Sequence, residues 1–195
     1  MDHAARSRRR LGRLRPLMTG GGSWPLTGAQ QGVWLAQALA PADPIYNTAD
    51  AVELTGAVDE AALAAQIRHV LDGAEALHVV FVEGPSGPRQ LTREDRDWPL
   101  PVLDLRGEAD PRAAAEHFMQ TDLRTPVDLA RDRLFATALL RTGETAWTWY
   151  LRIHHIATDA YATALLMRRV AERSVAGTDP KAPLNLAGID ALVAA

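Results

Sequence analysis

The sequence predicts an α/β fold of the α+β kind, a mixed sheet covered by helices. Three observations carry that expectation. Apolar strand-like runs alternate with amphipathic helical stripes without a strict βαβ rhythm. Two of the strongest strands are joined by a tight turn, Thr142-Gly143-Glu144, as in a hairpin. No G-x-G-x-x-G follows a first strand, which excludes a dinucleotide-binding Rossmann arrangement. The 195 residues suit one domain, or one half of a larger two-lobed unit.

The elements follow in order. Thr27-Gly28-Ala29-Gln30 has capping-box spacing and opens a helix. Val33, Trp34 and Ala38, with the neighbouring Leu35 and Leu39, give that helix an apolar side, and Pro41 and Pro44 end it. Residues 48–54 read as a strand meeting Gly56. Asp59 caps a second helix whose Leu63, Ile67, Val70 and Leu71 form one stripe. Residues 77–82 form a short apolar strand, and 89–92 return beside it after the turn residues Gly84, Pro85, Gly87 and Pro88. A strand near 101–105 leads to a helix from Asp110 to Leu123. Strands follow at 134–141 and 145–153, and a last helix runs from Asp159 to Val175. In the 145–153 strand Trp147, Trp149, Leu151 and Ile153 share one face, and Thr148, Tyr150 and Arg152 the other.

Composition narrows the function classes. Hydrophobic residues make up 47% and charged residues 23%, values of a globular chain and not of a disordered one. No apolar run approaches the ~20 residues of a transmembrane helix. The absence of cysteine excludes disulfides, thiolate zinc sites and a thiol nucleophile; with the lack of an export signal it leads to a cytoplasmic expectation. The net charge of −3 conceals an asymmetry. Residues 1–17 carry six arginines against Asp2, and the remainder holds 15 basic and 23 acidic groups. A body that acidic is poorly suited to nucleic acid, whose affinity rests on phosphate neutralisation. Residues 1–23 read as a basic, Gly-rich disordered leader, with Met18 an alternative start to Met1. Residues 177–195, with Gly177, Pro180, Pro183 and Gly188, read as a linker or the start of a connection.

The segment that carries chemistry is His154-His155-Ile156-Ala157-Thr158-Asp159, between a long strand and a helix. Adjacent residues at a strand end point to opposite sides. One imidazole can be held by the core while the other projects into a cleft, an arrangement suited to proton transfer near neutral pH. Asp159 at the helix start either caps backbone N–H groups or pairs with a cation. The plainer reading makes Asp159 an N-cap and one histidine structural. His155 and Asp159 are four apart, a spacing that would allow a metal site, yet too few other ligands lie nearby, so no metal is expected. No G-x-S-x-G elbow is present, which counts against a Ser-His-Asp hydrolase.

His154-His155-Ile156-Ala157-Thr158-Asp159-Ala160 closely resembles the HHxxxDG motif of nonribosomal peptide synthetase condensation domains. Leu26 to Trp34, with Gln30 and Trp34, is similar to that family's first motif, S-x-A-Q-x-x-x-W, and Pro44-Ile45-Tyr46-Asn47 to its usual sequel. Glu75 to Phe81 looks like a weakened HExLRTxF, and Val127-Asp128-Leu129 followed by Leu134 resembles the family's F-D-L-x-x-x-P-L stretch. The resemblance covers 24–175 and implies a chloramphenicol acetyltransferase-like lobe, the N-terminal half of a two-lobed unit around a tunnel.

By the same resemblance, carrier proteins deliver a donor thioester and an acceptor amine on phosphopantetheine arms, no cofactor is bound directly, and an amide forms. The partners implied are carrier proteins and a second lobe or adjoining synthetase domains, with no nucleic acid and no membrane. His155 is implied to be catalytic. His154, Asp159 and Ala160 support the site, with Asp159 paired to an arginine.

The sequence departs from the family pattern at Ala160, where the motif has Gly; at His78 and Val79, where it has Arg and Thr; and at Arg133, where it has Pro. The second lobe is not represented, so the chain is expected to be a piece of a longer unit, or to meet its other half on another chain or copy. Two other readings stand beside condensation: a non-catalytic docking module for carrier or tailoring proteins, and a coenzyme A-dependent acyltransferase of the same superfamily.

Overall fold

The computed structural model describes residues 22–176. The basic leader, apart from Gly22 and Ser23, and the connection over 177–195 lie outside the described residues. The elements are β1 (Ser23–Pro25), α1 (Gly28–Leu39), β2 (Asn47–Thr55), α2 (Glu60–Asp72), a 3-10 turn (Glu75–Leu77), β3 (Val79–Gly84), β4 (Gly87–Thr92), β5 (Val102–Asp104), α3 (Pro111–Leu123), β6 (Phe135–Arg141), β7 (Ala146–His154) and α4 (Ala160–Ala176).

The strands divide into two sheets, ordered β1-β4-β3 and β2-β7-β6-β5. The larger sheet is mixed: β5 runs parallel to β6, and the other neighbours are antiparallel. Its central strand β7 is buried on both faces, as a strand covered by helices on both sides must be. On one face Trp147, Trp149, Leu151 and Ile153 pack with Leu63, Ile67, Val70 and Leu71 of α2 and Leu166, Met167 and Val170 of α4. On the other, Tyr150, Ala138 and Leu140 meet Ala115, Phe118 and Met119 of α3. Three layers result, α2 and α4 over the sheet over α3, and this is the mixed α/β lobe the residue pattern predicts.

Each helix begins where a side chain satisfies its first N–H groups. The capping box of α1 is complete: Gln30 N donates to Thr27 Oγ1 at 3.3 Å, and Thr27 N to Gln30 Oε1 at 3.0 Å. Asp59 Oδ1 accepts from Ala62 N at 2.9 Å and Asp110 Oδ1 from Ala113 N at 3.0 Å.

Two expectations are corrected, and one strand was not expected. The apolar side of α1 is not where the leucines are: Leu35 is 57% and Leu39 81% exposed, and Ala38 is also exposed. The inward stripe is Gln30, Val33, Trp34 and Gln37, and Gln37 is the one buried residue of the helix. At 100° per residue, positions 35 and 39 are carried away from the stripe that 30, 34 and 37 share. The strand expected to start at Leu77 starts at Val79, because His78 N bonds to Glu75 O at 3.0 Å and closes a turn that drives Leu77 into the core. A short edge strand, β1, holds Trp24 against β4, although Pro25 within it gives no strand signal.

Candidate functional site

The histidine segment occupies the end of β7 and the loop into α4. His154 is the last residue of β7, and its backbone is fixed from two sides: it stands opposite Asn47 of β2, and its N–H donates to Leu134 O at 2.7 Å. His155 N donates to Tyr46 O at 2.7 Å, which ties the following residue to the segment that precedes β2. The two imidazoles take opposite environments. His154 is 2% exposed, whereas His155 is exposed.

The His154 ring is engaged at both nitrogens. Nδ1 accepts from Ile156 N at 3.2 Å, and Nε2 lies 3.3 Å from Gln37 Oε1. Burial, then the charge of Arg152 and that of His155, lowers its pKa to about 4. The uncharged ring is the form that this environment favours. The ring of Tyr46 lies at 6.1 Å, tilted by 46°.

Behind it runs a polar row on the same face of β7. Arg152 Nε donates to Asp122 Oδ2 at 2.6 Å, and Arg152 Nη1 to Asn47 Oδ1 at 3.4 Å. Tyr150 Oη donates to Asp122 Oδ2 at 3.0 Å. Burial and the Asp122 carboxylate push the Tyr150 phenol well above its usual range, so it remains a donor. Asn47 Nδ2 in turn donates to Leu123 O at 3.0 Å and Thr125 O at 2.8 Å, holding the end of α3 against β2 and β7. A cavity of about 460 Å³ opens beside this row, lined by Asp122, Tyr150, Arg152, Trp98, Phe118 and Phe135.

Asp159 does not pair with an arginine among the described residues. Its Oδ1 accepts from Ala162 N at 2.7 Å and its backbone O from Thr163 N at 3.0 Å. A carboxylate at a helix N-terminus meets unsatisfied N–H donors and the positive end of the dipole, so the cap holds it locally. The buried arginine ion pair belongs to Arg152 and Asp122. Ala160 is the first residue of α4 and exposed, and no described non-glycine residue has a positive φ. The position therefore does not demand glycine.

Gln30 Nε2 donates to Ile156 O at 3.3 Å, so a first-motif residue grips the histidine loop directly. Trp34 packs in a cluster with Ile156, Phe81, Val127, Leu129 and Leu134. This cluster gathers side chains from four segments that the sequence places far apart. His78 does not join them. It is fully buried, its Nε2 donates to Leu71 O at 2.9 Å, and its ring lies edge-on to Phe135 at 5.7 Å. Arg133 instead pairs with Asp95 at 2.8 Å.

The sequence reading missed Gln37 and the Arg152–Asp122 pair. Gln37 carries a retrospective signal: it continues, three residues on, the stripe that Gln30 and Trp34 begin. Asp122 carries none, since its partner lies 30 residues away.

The condensation-domain family model matches residues 21–177. A dimodular nonribosomal peptide synthase of Bacillus subtilis is 45% identical over 148 residues, 76% of this chain and 6% of that protein. The starter condensation domain of rhizomide synthetase RzmA superposes with a TM-score of 0.75 at 39% identity, covering 80% of this chain and 38% of that one. A mutant of that domain in complex with C8-CoA gives the same TM-score at 36% identity, covering 88% and 41%. The chain thus spans a small part of the synthase and about two-fifths of the solved domains.

Proposed function

The chain belongs to the condensation-domain family, and from that membership we propose that residues 24–176 are the N-terminal lobe of a unit that makes amide bonds in nonribosomal peptide synthesis. The donor is an acyl or peptidyl thioester and the acceptor an amine, each carried on the phosphopantetheine of a carrier protein. His155 is the catalytic residue. The observation that carries this reading is the exposure of the His155 ring beside a neighbour, His154, that is buried and held at both nitrogens.

The chemistry asks little of the protein. A thioester is already activated. The amine nitrogen forms the C–N bond, the C–S bond breaks, the proton that the nitrogen sheds passes to His155, and the departing thiolate takes that proton, which leaves His155 neutral again. Orientation of two carrier-bound substrates contributes up to roughly 7–11 kcal/mol, and a general base about 10²–10⁴-fold. A single imidazole suffices, with no direct cofactor. His154, Asp159 and Ala160 support it structurally. The second lobe, or an adjoining synthetase domain, closes the other side of the tunnel. No described helix is long and apolar enough to cross a membrane. We place the reaction in the cytoplasm.

A second reading is favoured by the C8-CoA complex of a similar domain: the donor is a coenzyme A ester. One assay separates the readings. The chain and its His155→Ala variant are given a carrier-loaded donor thioester or a free coenzyme A ester, with an amine acceptor. Amide formed from the carrier thioester and lost in the variant supports condensation. Turnover of the free ester alone moves the donor to coenzyme A. Equal background rates in both proteins overturn catalysis by this chain, and carrier binding without turnover makes it a docking module.

A further inference from the structure

Gln37 is buried, polar and on the inner stripe of α1, where an apolar residue would pack without desolvation cost. Its surroundings determine how its amide is turned. Three carbonyl oxygens face one end: Gln37 Nε2 donates to Ala40 O at 3.4 Å, Pro41 O at 3.3 Å and Asp43 O at 3.2 Å. An amide oxygen placed there would meet only other acceptors, so the NH₂ group, whose two hydrogens the three carbonyls share, must face them and the amide oxygen must face the other way, toward His154. That oxygen accepts hydrogen bonds and donates none. The nitrogen opposite it, His154 Nε2, must therefore carry a hydrogen. At the far side of the ring Nδ1 faces the N–H of Ile156, which only donates, so Nδ1 must be bare.

We propose that Gln37 is a positioning residue which locks His154 as a neutral imidazole with its proton on Nε2, and through the Nδ1 contact to Ile156 fixes the backbone that presents His155. The relay runs from the turn at 40–43 through Gln37 and His154 to Ile156, and His155 lies between the last two. Gln30, two helical turns earlier on the same stripe, holds the carbonyl of Ile156. One helix thus grips both ends of the short segment that carries His155. The low pKa of His154 agrees with the neutral form. The link to turnover rests on the condensation reading; the lock itself does not.

The test uses ¹⁵N-labelled full chain at pH 7. The His154 ring nitrogens are assigned, and exchange of the Ile156 amide is followed. The wild type is expected to show a protonated Nε2 and an unprotonated Nδ1. Gln37→Met, which keeps the length of the side chain and removes its amide, is expected to mix the two tautomers and to speed Ile156 exchange roughly tenfold, the loss of about one hydrogen bond. Gln37→Glu keeps the volume and places a carboxylate at Nε2. It is expected to protonate both ring nitrogens, turning Nδ1 into a donor and releasing Ile156 to a similar degree.

A wild-type His154 with its proton on Nδ1, or charged, overturns the proposal and needs no variant to fold. Folded variants that leave the tautomer and the Ile156 exchange unchanged overturn it as well. In the carrier-thioester assay the folded variants are expected to lose kcat with KM unchanged. An inactive wild type with the expected nitrogen pattern overturns the condensation reading and leaves the lock standing.

Discussion

His154 and His155 share a peptide bond and face opposite ways: the first is 2% exposed and bonded at both ring nitrogens, the second is exposed and makes no ring hydrogen bond among the described residues. The strand pleat creates the division. The bonds of His155 N to Tyr46 O and of Ile156 N to His154 Nδ1 preserve it past the strand end. Exposure and burial are thereby divided between two adjacent residues.

His155→Ala is expected to leave stability within about 0.5 kcal/mol, because an exposed side chain without partners holds nothing. The same change is expected to reduce amide formation by about 10²–10⁴-fold where the base is limiting. Urea denaturation and the carrier-thioester assay measure the two independently. A large loss of stability would contradict the exposed placement of the ring.

His154 makes stability depend on pH with a fixed sign. Its folded pKa of about 4 lies below the ordinary 6.5. Between those values the unfolded chain binds more protons than the folded one, so stability rises with pH. The contribution is complete above pH 6.5 and is lost as pH falls toward 4, on the order of 3 kcal/mol. His78, whose pKa burial also lowers, adds in the same direction. Chemical denaturation at pH 7 and pH 5 reads the slope; a chain more stable at pH 5 would refute it.

Asp159→Ala is expected to cost about 1 kcal/mol, the loss of an N-cap. Asp159→Asn retains an oxygen acceptor for the Ala162 N–H, and is expected to restore most of that stability. A carboxylate that mattered as half of an ion pair would give the opposite result, with Asn as damaging as Ala. Urea midpoints of the two variants distinguish them.

Asp122→Asn is expected to destabilise the chain by about 3 kcal/mol, since it leaves the nearly buried guanidinium of Arg152 without its countercharge. A double substitution, Asp122→Leu with Arg152→Met, is expected to recover much of the loss, because the cost lies in the unpaired charge. A double-mutant cycle by thermal unfolding checks both values.

Most elements are legible from local rules: the capping box at Thr27 and Gln30, the Asp59 cap, the Leu63–Leu71 stripe and the two-faced strand over Trp147 to Ile153. Each depends on residues within a few positions of one another. The inner face of α1 is not legible in this way, because Leu35 and Leu39 carry more hydrophobicity than Gln37. The sequence period cannot tell which stripe meets the rest of the molecule.

By itself the sequence determined the family, the α/β lobe, the His154-His155 segment at a strand end and the aspartate that starts α4. These are written in contiguous residues and in periods of two and 3.6. Tertiary structure alone decided which imidazole is buried and that Asp122 receives Arg152; Asp159 caps α4, as the plainer sequence reading has it, and meets no arginine among the described residues. The tertiary structure also set Gln37 at 3.3 Å from a ring 117 residues away. Those outcomes depend on how sheet, helix and loop converge, and hydrogen bonds across such separations leave no periodic trace in a chain.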